Sequence, residues 1–503
     1  MLATALVLLA AAALVRLLPA RIAPHGAGVD QWYWKLYVET LRRTRRVPPE
    51  LPQYVLERAQ WYPPLFPWIL SRLPASWFER HATRLSVAVD LIRMALLLWA
   101  AWAWGGGAVS LVVAGTAYAL TPLLVTYNLQ LNPRGLGALA LDALWLSIAA
   151  IHVGAAPAAA WAVVALMGAV VLLTHKMTTQ LLVFVSVVGA AIWPAPELLV
   201  VVPVSVLAAI VLSGGFYLRV TRAHADILRF WFRHWPWSGA HPVLDSPAYG
   251  QPGYESQGLF YRRGARAWLR RLAFVVGFNP WAPAALAVGA LAIAEGRTPQ
   301  GPEGWALGWL GLVFAFALLT TLLPVLRCLG QGYLYGYNGA FPAALFLGLS
   351  WPSLGETWYW WAGIGGAALA SAIALAAFFR KLASSRTLKV DHELDAALGR
   401  LSGLPQGLVM CLPQHWHDVV AYRTRHPVLF GAHGYGFSLI EDVFPVLKCR
   451  MPELLHRHPV RYLLTLDGYL PRPFVADLPP ARVESFGAYR LYVFAHPESP
   501  AGP

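Results

Sequence analysis

One carboxylate and a set of cations stand next to apolar segments, where they could do chemistry at a membrane surface. Asp30 lies in GVDQWYWKLYV, just after the first apolar segment and at the start of a long polar and aromatic stretch. A carboxylate held there can accept a proton, and cations at the ends of apolar helices can hold an anion such as phosphate. The candidate cations at such ends are Arg134, Lys176, Arg219, Arg222 and Arg327. An alternative interpretation is that each of them only anchors a helix at the interface.

The composition excludes a soluble globular protein. Hydrophobic residues make up 57% of the 503 residues and charged residues only 13%, with a mean hydropathy of +0.51. Apolar segments of about 20 residues are long enough to cross a bilayer core. We therefore predict a mainly α-helical polytopic membrane protein of about 11 transmembrane helices. The predicted spans are 2–20, 83–103, 108–127, 135–153, 158–174, 178–194, 198–216, 271–294, 305–326, 336–350 and 360–380.

An odd number of spans sorts the loops unequally between the two faces of the membrane. One face receives the long loops 21–82 and 217–270, the short turns that carry the candidate cations, and everything after Arg380. The other face receives short loops with almost no Lys or Arg. The positive-inside rule, applied to short loops, would turn the basic face towards the cytoplasm, whereas long loops translocate with less regard for charge. The pattern predicts that all the chemistry lies on the basic face.

Two polar regions flank the predicted bundle. Residues 21–82 contain two or three amphipathic pieces, in the stretches WYWKLYVETLRRTRR and LPQYVLERAQWYPPLFPWILSRL, which we predict to be interfacial helices. The loop 217–270 is too long and too aromatic for a simple connection, and its part from Pro242 to Tyr261 is predicted to be a lid.

We predict a transmembrane domain over 1–382 and a small soluble α/β domain over 383–503, with strands at LVMCL, PVLFG, VRYLLTL, ARVESF and YRLYVF.

Charged residues and cysteines inside the other segments are interpreted as structural. Asp90 and Arg93 are three residues apart on one helix, and we predict that they neutralise each other. Asp142 has no charged neighbour within reach on its own helix, so it either pairs across the bundle or lines a cavity. Three cysteines are too few for a disulfide framework, although Cys411 and Cys449 could pair.

This arrangement resembles the GT-C superfamily of membrane glycosyltransferases, which includes the protein O-mannosyltransferases and the aminoarabinose transferases. The resemblance rests on a first span followed by a loop with Asp30 near its start, an aromatic YPPL segment at Tyr62 to Leu65, many further spans and a soluble C-terminal region. It implies a GT-C-like bundle that moves a sugar from a polyprenyl-phosphate carrier. The implied acceptor is a lipid, a glycan or a protein.

The resemblance casts Asp30 as the general base that deprotonates the acceptor. The phosphate of the donor would then leave with negative charge, which Arg and Lys stabilise. LLTHKMTTQLL places His175 and Lys176 at a turn between two spans, and LNPRGLG places Arg134 at the start of a helix, where the helix dipole also favours an anion. Arg219, Arg222 and Arg327 complete the expected phosphate-binding set.

A further stretch, GQGYLYGYNGAFP, is similar to a segment that opens a late span in many such transferases, often with an Arg where this chain has Leu334. Arg327 is the nearest substitute for that charge. The expected cleft, lipid or sugar contacts are Trp32, Tyr33, Tyr62, Tyr333, Tyr335, Tyr337 and Asn338.

The resemblance implies an integral protein of a bacterial inner or archaeal plasma membrane, with an extracytoplasmic active site and C-terminal domain. Its expected partners are the polyprenyl-phosphate-linked sugar donor, membrane lipids and the acceptor, with no nucleic acid. We predict no cofactor. A divalent metal stays open as an alternative that the sequence does not support, because acidic residues other than Asp30 are sparse in the expected cleft.

Two alternatives keep the same membrane architecture. An O-antigen ligase-like or polymerase-like transferase would use Arg219, Arg222 and His224 of the large loop instead of Asp30. A transporter or flippase of lipid-linked saccharides would use the same cations to escort a phosphate, but such proteins are usually built from repeated halves, and no internal repeat is evident here.

Overall fold

Apolar helices make up most of the chain as far as Ser384. The computed structural model describes residues 1–22, 28, 30–47, 50–105, 107–152, 157–237, 241–250, 264–384, 391–431 and 436–495. The helices of this part are α1 (Leu2–Ile22), α2 (Asp30–Thr44), α3 (Leu65–Ser71), α4 (Ala75–Gly105), α5 (Ala108–Ala119), α6 (Pro122–Tyr127), α7 (Arg134–His152), α8 (Pro157–Leu172), α9 (Lys176–Ile192), α10 (Glu197–Leu212), α11 (Tyr217–His234), α12 (Ala265–Phe278), α13 (Trp281–Ala294), α14 (Gly301–Leu322), α15 (Gly336–Leu349), α16 (Trp351–Leu354) and α17 (Trp358–Ser384).

Five of these helices, α1, α4, α7, α14 and α17, are each long and apolar enough to cross a membrane. Four shorter apolar helices, α5, α8, α9 and α10, lie among them. Every predicted span overlaps at least one helix, which confirms a mainly helical polytopic membrane protein. The number of crossings stays a prediction.

The predicted span 271–294 is not one straight helix. α12 and α13 meet at an angle of 88°. The break falls at Asn279 and Pro280, because proline has no N–H to donate and disfavours helical backbone in the residue before it. The Asn279 side chain accepts a hydrogen bond from the N–H of Ala282 at 3.2 Å and donates one to the carbonyl of Gly336 at 2.9 Å. The Asn279 side chain therefore ties the bend to α13 and to the start of α15.

Helix α15 lies at the centre of the bundle. All fourteen residues from Gly336 to Leu349 are buried, and α4, α5, α13 and α14 contact this helix. Gly348 allows α5 to approach closely, since a Cβ added there would lie 2.7 Å from the carbonyl oxygen of Ser110. A helix that is apolar on every side is stable only when it is surrounded by other helices or by lipid.

Two ion pairs cross the bundle between different helices. Arg16 of α1 pairs with Asp90 of α4, and Arg93 of α4 pairs with Asp142 of α7, with all four side chains fully buried. The predicted pair between Asp90 and Arg93 is therefore wrong. Although these residues are neighbours on α4, each finds a partner on another helix, and Tyr118 also donates to Asp90 at 2.7 Å. Asp142 pairs across the bundle.

The region 21–82 lies over one end of the bundle. α2 is amphipathic as predicted and contacts α3. The second predicted interfacial helix is wrong over most of its length, because residues 51–64 are irregular and only α3 is helical. Prolines at 52, 63 and 64 account for this, since proline cannot continue a helix interior.

The C-terminal region forms a small mixed sheet with strands β1 (Leu408–Leu412), β2 (Val460–Leu466), β3 (Ala481–Phe486) and β4 (Tyr489–Phe494). The strand order is β1-β2-β4-β3, with β1 parallel to β2 and the other pairs antiparallel. The short helices are α18 (His392–Ser402), α19 (His417–Thr424), α20 (Met451–Arg457) and α21 (Arg472–Ala476).

Four of the five predicted strands are present in this sheet. The fifth, PVLFG, contributes only isolated bridges at Val428, one of which joins it to Tyr54 of the first loop. Cys411 and Cys449 are both free, so the pairing that the sequence left open between them does not form.

The buried ion pair between Arg93 and Asp142 yields a stability prediction. Asp142→Asn would leave the Arg93 guanidinium without its opposite charge, and we expect the free energy of unfolding to fall by about 3 to 5 kcal/mol. Equilibrium denaturation in mixed SDS micelles measures this change. The control is Asp395→Asn, which removes a surface pair with Arg423 whose side chains are 40% and 38% exposed and costs about 1 kcal/mol or less. Equal costs would contradict the prediction.

Candidate active site

Three helix N-termini meet at the end of the bundle that the first loop covers. Asp30 is the first residue of α2, Arg134 the first of α7 and Lys176 the first of α9. All three side chains line one cavity of about 210 Å³, together with His175 and Asn132. The backbone N–H groups at a helix N-terminus carry partial positive charge. Two cations and two long-helix N-termini therefore make this cavity, which we name the first cavity, suited to an anion.

Arg134 is held in place but keeps bonding capacity. It is 5% exposed, and its guanidinium donates to the Leu334 carbonyl at 3.1 Å and lies over the Tyr127 ring at 4.5 Å. Its Nε has no hydrogen-bond partner among the described residues. Asn132 accepts a hydrogen bond from the Arg134 N–H at 2.9 Å and so fixes the start of α7. A buried guanidinium with an unused donor can still bind a ligand.

Lys176 extends from the turn between α8 and α9. Within the described part of the chain it makes no hydrogen bond or ion pair of its own, and the charges that act on it are those of Asp30 and Arg134. His175 precedes it, is 6% exposed, and lies 3.3 Å from the Thr178 hydroxyl through its Nδ1. The contact between His175 and Thr178 thus supports the turn, and Lys176 lines the cavity.

Aromatic rings close the cavity around Asp30. Trp34 and Tyr62 pack edge to face with their ring centroids 4.7 Å apart, and Tyr127 and Phe437 complete this lining. Burial raises the pKa of the Tyr62 phenol, and the negative charge of Asp30 raises it further while Arg134 lowers it. Tyr62 therefore stays protonated and can donate a hydrogen bond.

A second cavity of about 300 Å³ adjoins the first and shares Lys176, Ile227 and Gly330 with it. Arg327 lines the second cavity and not the first. Gly330 has a φ of +107°, which an L side chain rarely adopts, and a Cβ added there would lie 3.3 Å from Cε of Met177. Glycine at 330 therefore permits the tight wall between the two cavities.

The structure brings together only part of the predicted phosphate-binding set. Arg134, His175 and Lys176 share the first cavity. Arg219 and Arg222 lie on the exposed face of α11 and line neither cavity. His224 is partly buried, which lowers its pKa to about 4, and it contacts Gln180 at 3.0 Å. The convergence of Arg219, Arg222 and His224 that a ligase-like site would need is therefore not present.

The predicted contact residues are divided in the same way. Tyr62 lines the first cavity. Tyr33 is buried and donates to Gln60 at 2.7 Å, whereas Trp32 packs on Tyr422 with centroids 5.7 Å apart. The remaining four lie within or beside the helix bundle and line neither cavity, namely Tyr333, Tyr335, Tyr337 and Asn338.

Several lining residues were not predicted from the sequence, notably Trp34, Tyr127 and Asn132. Trp34 lies four residues after Asp30 on α2, one helical turn further on, which is a signal that the sequence does contain. Asn132 lies two residues before Arg134, inside the LNPRGLG stretch, whereas Tyr127 lies seven residues before Arg134 and outside that stretch. Within the described ranges, no group of three or more His, Cys, Asp or Glu side chains comes together to hold a metal.

No protein-family model matches this chain, and no curated protein matches it in sequence. Solved structures are similar to it in three dimensions. ArnT from Cupriavidus metallidurans bound to undecaprenyl phosphate has a TM-score of 0.60 at 14% identity, over 99% of each chain. The archaeal oligosaccharyltransferase AglB from Archaeoglobus fulgidus, in complex with an inhibitory peptide and a dolichol-phosphate, has a TM-score of 0.54 at 12% identity, over 92% of this chain and 69% of that one.

This chain has the same fold as ArnT and AglB. The apo state of ArnT is also similar, with a TM-score of 0.56 at 13% identity over 93% of each chain. The predicted fold class is thereby confirmed along almost the whole length of the chain. At this level of identity the similarity establishes the fold, and the chemistry has to be argued from the cavity itself.

The geometry of the first cavity predicts how it binds an amphiphilic phosphate. Arg134→Gln removes a buried charge, so we expect the dissociation constant of farnesyl phosphate, measured by titration calorimetry, to rise by about tenfold or more. Arg222→Gln removes the same charge from the exposed face of α11, and we expect a change of less than about twofold. Equal effects of the two substitutions would instead mean that only the net charge of the protein attracts the phosphate.

Proposed function

We propose that the protein is a membrane glycosyltransferase that moves a sugar from a polyprenyl-phosphate carrier to an acceptor lipid, glycan or protein. The observation that carries this proposal is the presence of Asp30, Arg134 and Lys176 around one cavity. A carboxylate and two cations at one end of an apolar bundle suit a reaction in which a proton leaves one group and negative charge grows on another. The GT-C fold supports the same activity.

In this proposal Arg134 and Lys176 bind the phosphate of the donor. The phosphate gains negative charge as its bond to the sugar breaks, and cations already fixed in the cavity stabilise that charge without rearranging. The cavity lies among the loops at the helix ends, so the carrier's hydrocarbon tail can stay in the membrane while its phosphate reaches Arg134. His175 contributes by fixing the turn that presents Lys176.

Asp30 acts as the general base. The acceptor hydroxyl or amine gives its proton to the Asp30 carboxylate as it forms a bond to the anomeric carbon, and the bond from that carbon to the phosphate oxygen breaks with its electron pair. A carboxylate in water is a weak base at neutral pH, so its usefulness depends on being oriented beside the acceptor. The Trp34 and Tyr62 rings limit the water around Asp30 and narrow its orientation.

We also propose that the first cavity and the C-terminal region face the outside of the membrane of a bacterium or archaeon. A single cysteine introduced at Asp395, an exposed residue of α18, tests this orientation, because the three native cysteines are buried or partly buried. We expect a membrane-impermeant maleimide to label the Asp395→Cys protein in intact cells. Labelling only after the membrane is broken would place this face in the cytoplasm and reverse the proposal.

The catalytic role of Asp30 is tested by Asp30→Asn. We expect this change to lower the transfer of labelled sugar from polyprenyl-phosphate sugars by at least about a thousandfold, because the amide cannot take the proton. Donor binding should persist, since Arg134 and Lys176 are unchanged. Glu39→Gln on the same helix removes an exposed carboxylate that pairs with Arg425 at 2.8 Å and should leave transfer nearly unchanged. Turnover retained in Asp30→Asn would remove this mechanism.

A further inference from the structure

The second cavity contains a cation that binding of the donor phosphate does not use. Arg327 lies on the 3-10 turn Pro324–Leu329 and lines this cavity opposite no carboxylate within the described ranges. Among the residues that the structure describes, its side chain makes no hydrogen bond or ion pair. Burial lowers the pKa of the Arg327 guanidinium, and the like charge of Arg271 lowers it further. A partly buried guanidinium that no opposite charge meets favours a bound anion beside it.

Amides and an indole ring form part of the lining of the second cavity. Gln331 and Gln414 both line it, and the Oε1 atom of Gln414 is buried without a hydrogen-bond partner among the described residues. Gln180 is held by His224 at 3.0 Å and by the hydroxyl of Tyr335. Amides both donate and accept hydrogen bonds, so they match the hydroxyl groups of a sugar.

Trp231 supplies an apolar surface beside these amides. Its ring packs edge to face on Phe444 of the C-terminal region, with centroids 5.6 Å apart, and both residues line the second cavity. The cavity is therefore bounded on one side by α11 and on another by residues 414, 444 and 445 of the C-terminal region. One indole ring and several amides, together with the cations Arg327 and Lys176, form a lining for a polar ring-shaped ligand that carries a negative charge.

We propose that the second cavity binds the acceptor, and that this acceptor is a saccharide with an acidic substituent, a carboxylate or a phosphate, which Arg327 holds. The inference rests on the proposed function and deepens it. It gives Arg327 a role in acceptor binding in place of the donor-phosphate role expected from the sequence. The rival assignment is that Arg327 holds the second phosphate of a diphosphate carrier. Such a group would leave Gln331, Gln414 and Trp231 unused.

The wall shared by the two cavities would then be the place of reaction. Lys176 lines both cavities, and the Asp30 charge acts on it. An acceptor held by Arg327 at one end would place a hydroxyl at this wall, next to Asp30 and to a sugar whose phosphate lies against Arg134. The acidic group therefore sets the orientation of the acceptor, because a single charged anchor and several amides fix both the position and the rotation of a ring.

The test compares three soluble probes on the full-length purified protein. These are methyl β-glucuronide, methyl β-glucoside 6-phosphate and the neutral methyl β-glucoside. We expect at least one acidic probe to bind about tenfold more tightly than the neutral one, with the dissociation constants measured by ligand-observed NMR. A preference for only the carboxylate or only the phosphate would identify which acid the acceptor carries. Equal binding of all three probes would overturn the proposal.

Two variants assign the preference to Arg327. Arg327→Gln should abolish the difference between acidic and neutral probes, while Arg270→Gln, which removes an exposed cation from α12, should preserve it. Binding of farnesyl phosphate by Arg327→Gln should stay within about twofold of the unmodified protein, which also shows that the variant is folded. If Arg327→Gln instead weakens farnesyl diphosphate and leaves the glucuronide preference intact, Arg327 belongs to the donor and the proposal fails.

The outcome is independent of the test of Asp30, because the probes report binding and need no turnover. If the protein binds acidic saccharides through Arg327 but transfers no labelled sugar, the proposed function is disproved and the proposal of an acidic saccharide site stands. If the protein transfers labelled sugar but binds the three probes equally, the proposed function stands and the proposal of an acidic acceptor is disproved.

Discussion

A charged side chain within an apolar helix bundle is costly unless an opposite charge or a ligand meets it, and this constraint organises the whole protein. Deep in the bundle the charges meet each other, since Arg16 pairs with Asp90 and Arg93 with Asp142. At the ends of the helices the charges are not all paired with one another. Arg134 has an unused donor and lines a cavity with Lys176 and a single carboxylate, Asp30, so a bound anion can complete the compensation of charge there.

The paired charges inside the bundle also help to position the cation at the cavity. Arg93 links α4 and α7 through Asp142, and it also donates to the carbonyl of Tyr337 at the start of α15, at 3.0 Å. α7 begins with Arg134, and the loop before α15 supplies the Leu334 carbonyl that orients the Arg134 guanidinium. The ion pairs of the bundle therefore hold the elements that place the cation at the cavity. Loss of a pair would disturb binding as well as stability.

The irregular segments complete the cavities that the bundle alone leaves open. The first loop brings Trp34 and Tyr62 over the helix ends, and its contact with the C-terminal region is fixed by a hydrogen bond from Tyr54 to Asp418 at 2.9 Å. The C-terminal region in turn supplies Gln414 to the second cavity. Because loops tolerate variation that a packed bundle does not, these walls are where specificity can change while the anion-binding residues stay fixed.

The sequence by itself determined the membrane class, the apolar spans and the polar residues beside them. Hydropathy is a local property, so a run of apolar residues signals a helix whatever surrounds it. Asp30, Arg134 and Lys176 could be identified as candidate site residues for the same reason, because each is a charged residue next to such an apolar run. The bend at Asn279 was also encoded locally by the proline that follows, although a continuous apolar run concealed it.

Only the tertiary structure decided which of these residues face one another. The sequence suggested that Asp90 pairs with its neighbour Arg93, but the rotation of α4 in the bundle directs the two side chains to different helices. From the sequence, Arg219 and Arg222 were equally plausible phosphate ligands. In the structure the apolar face of α11 packs inward, so both arginines are exposed. A helix shows in its sequence which residues share a face, but the packing of its neighbours decides where that face points.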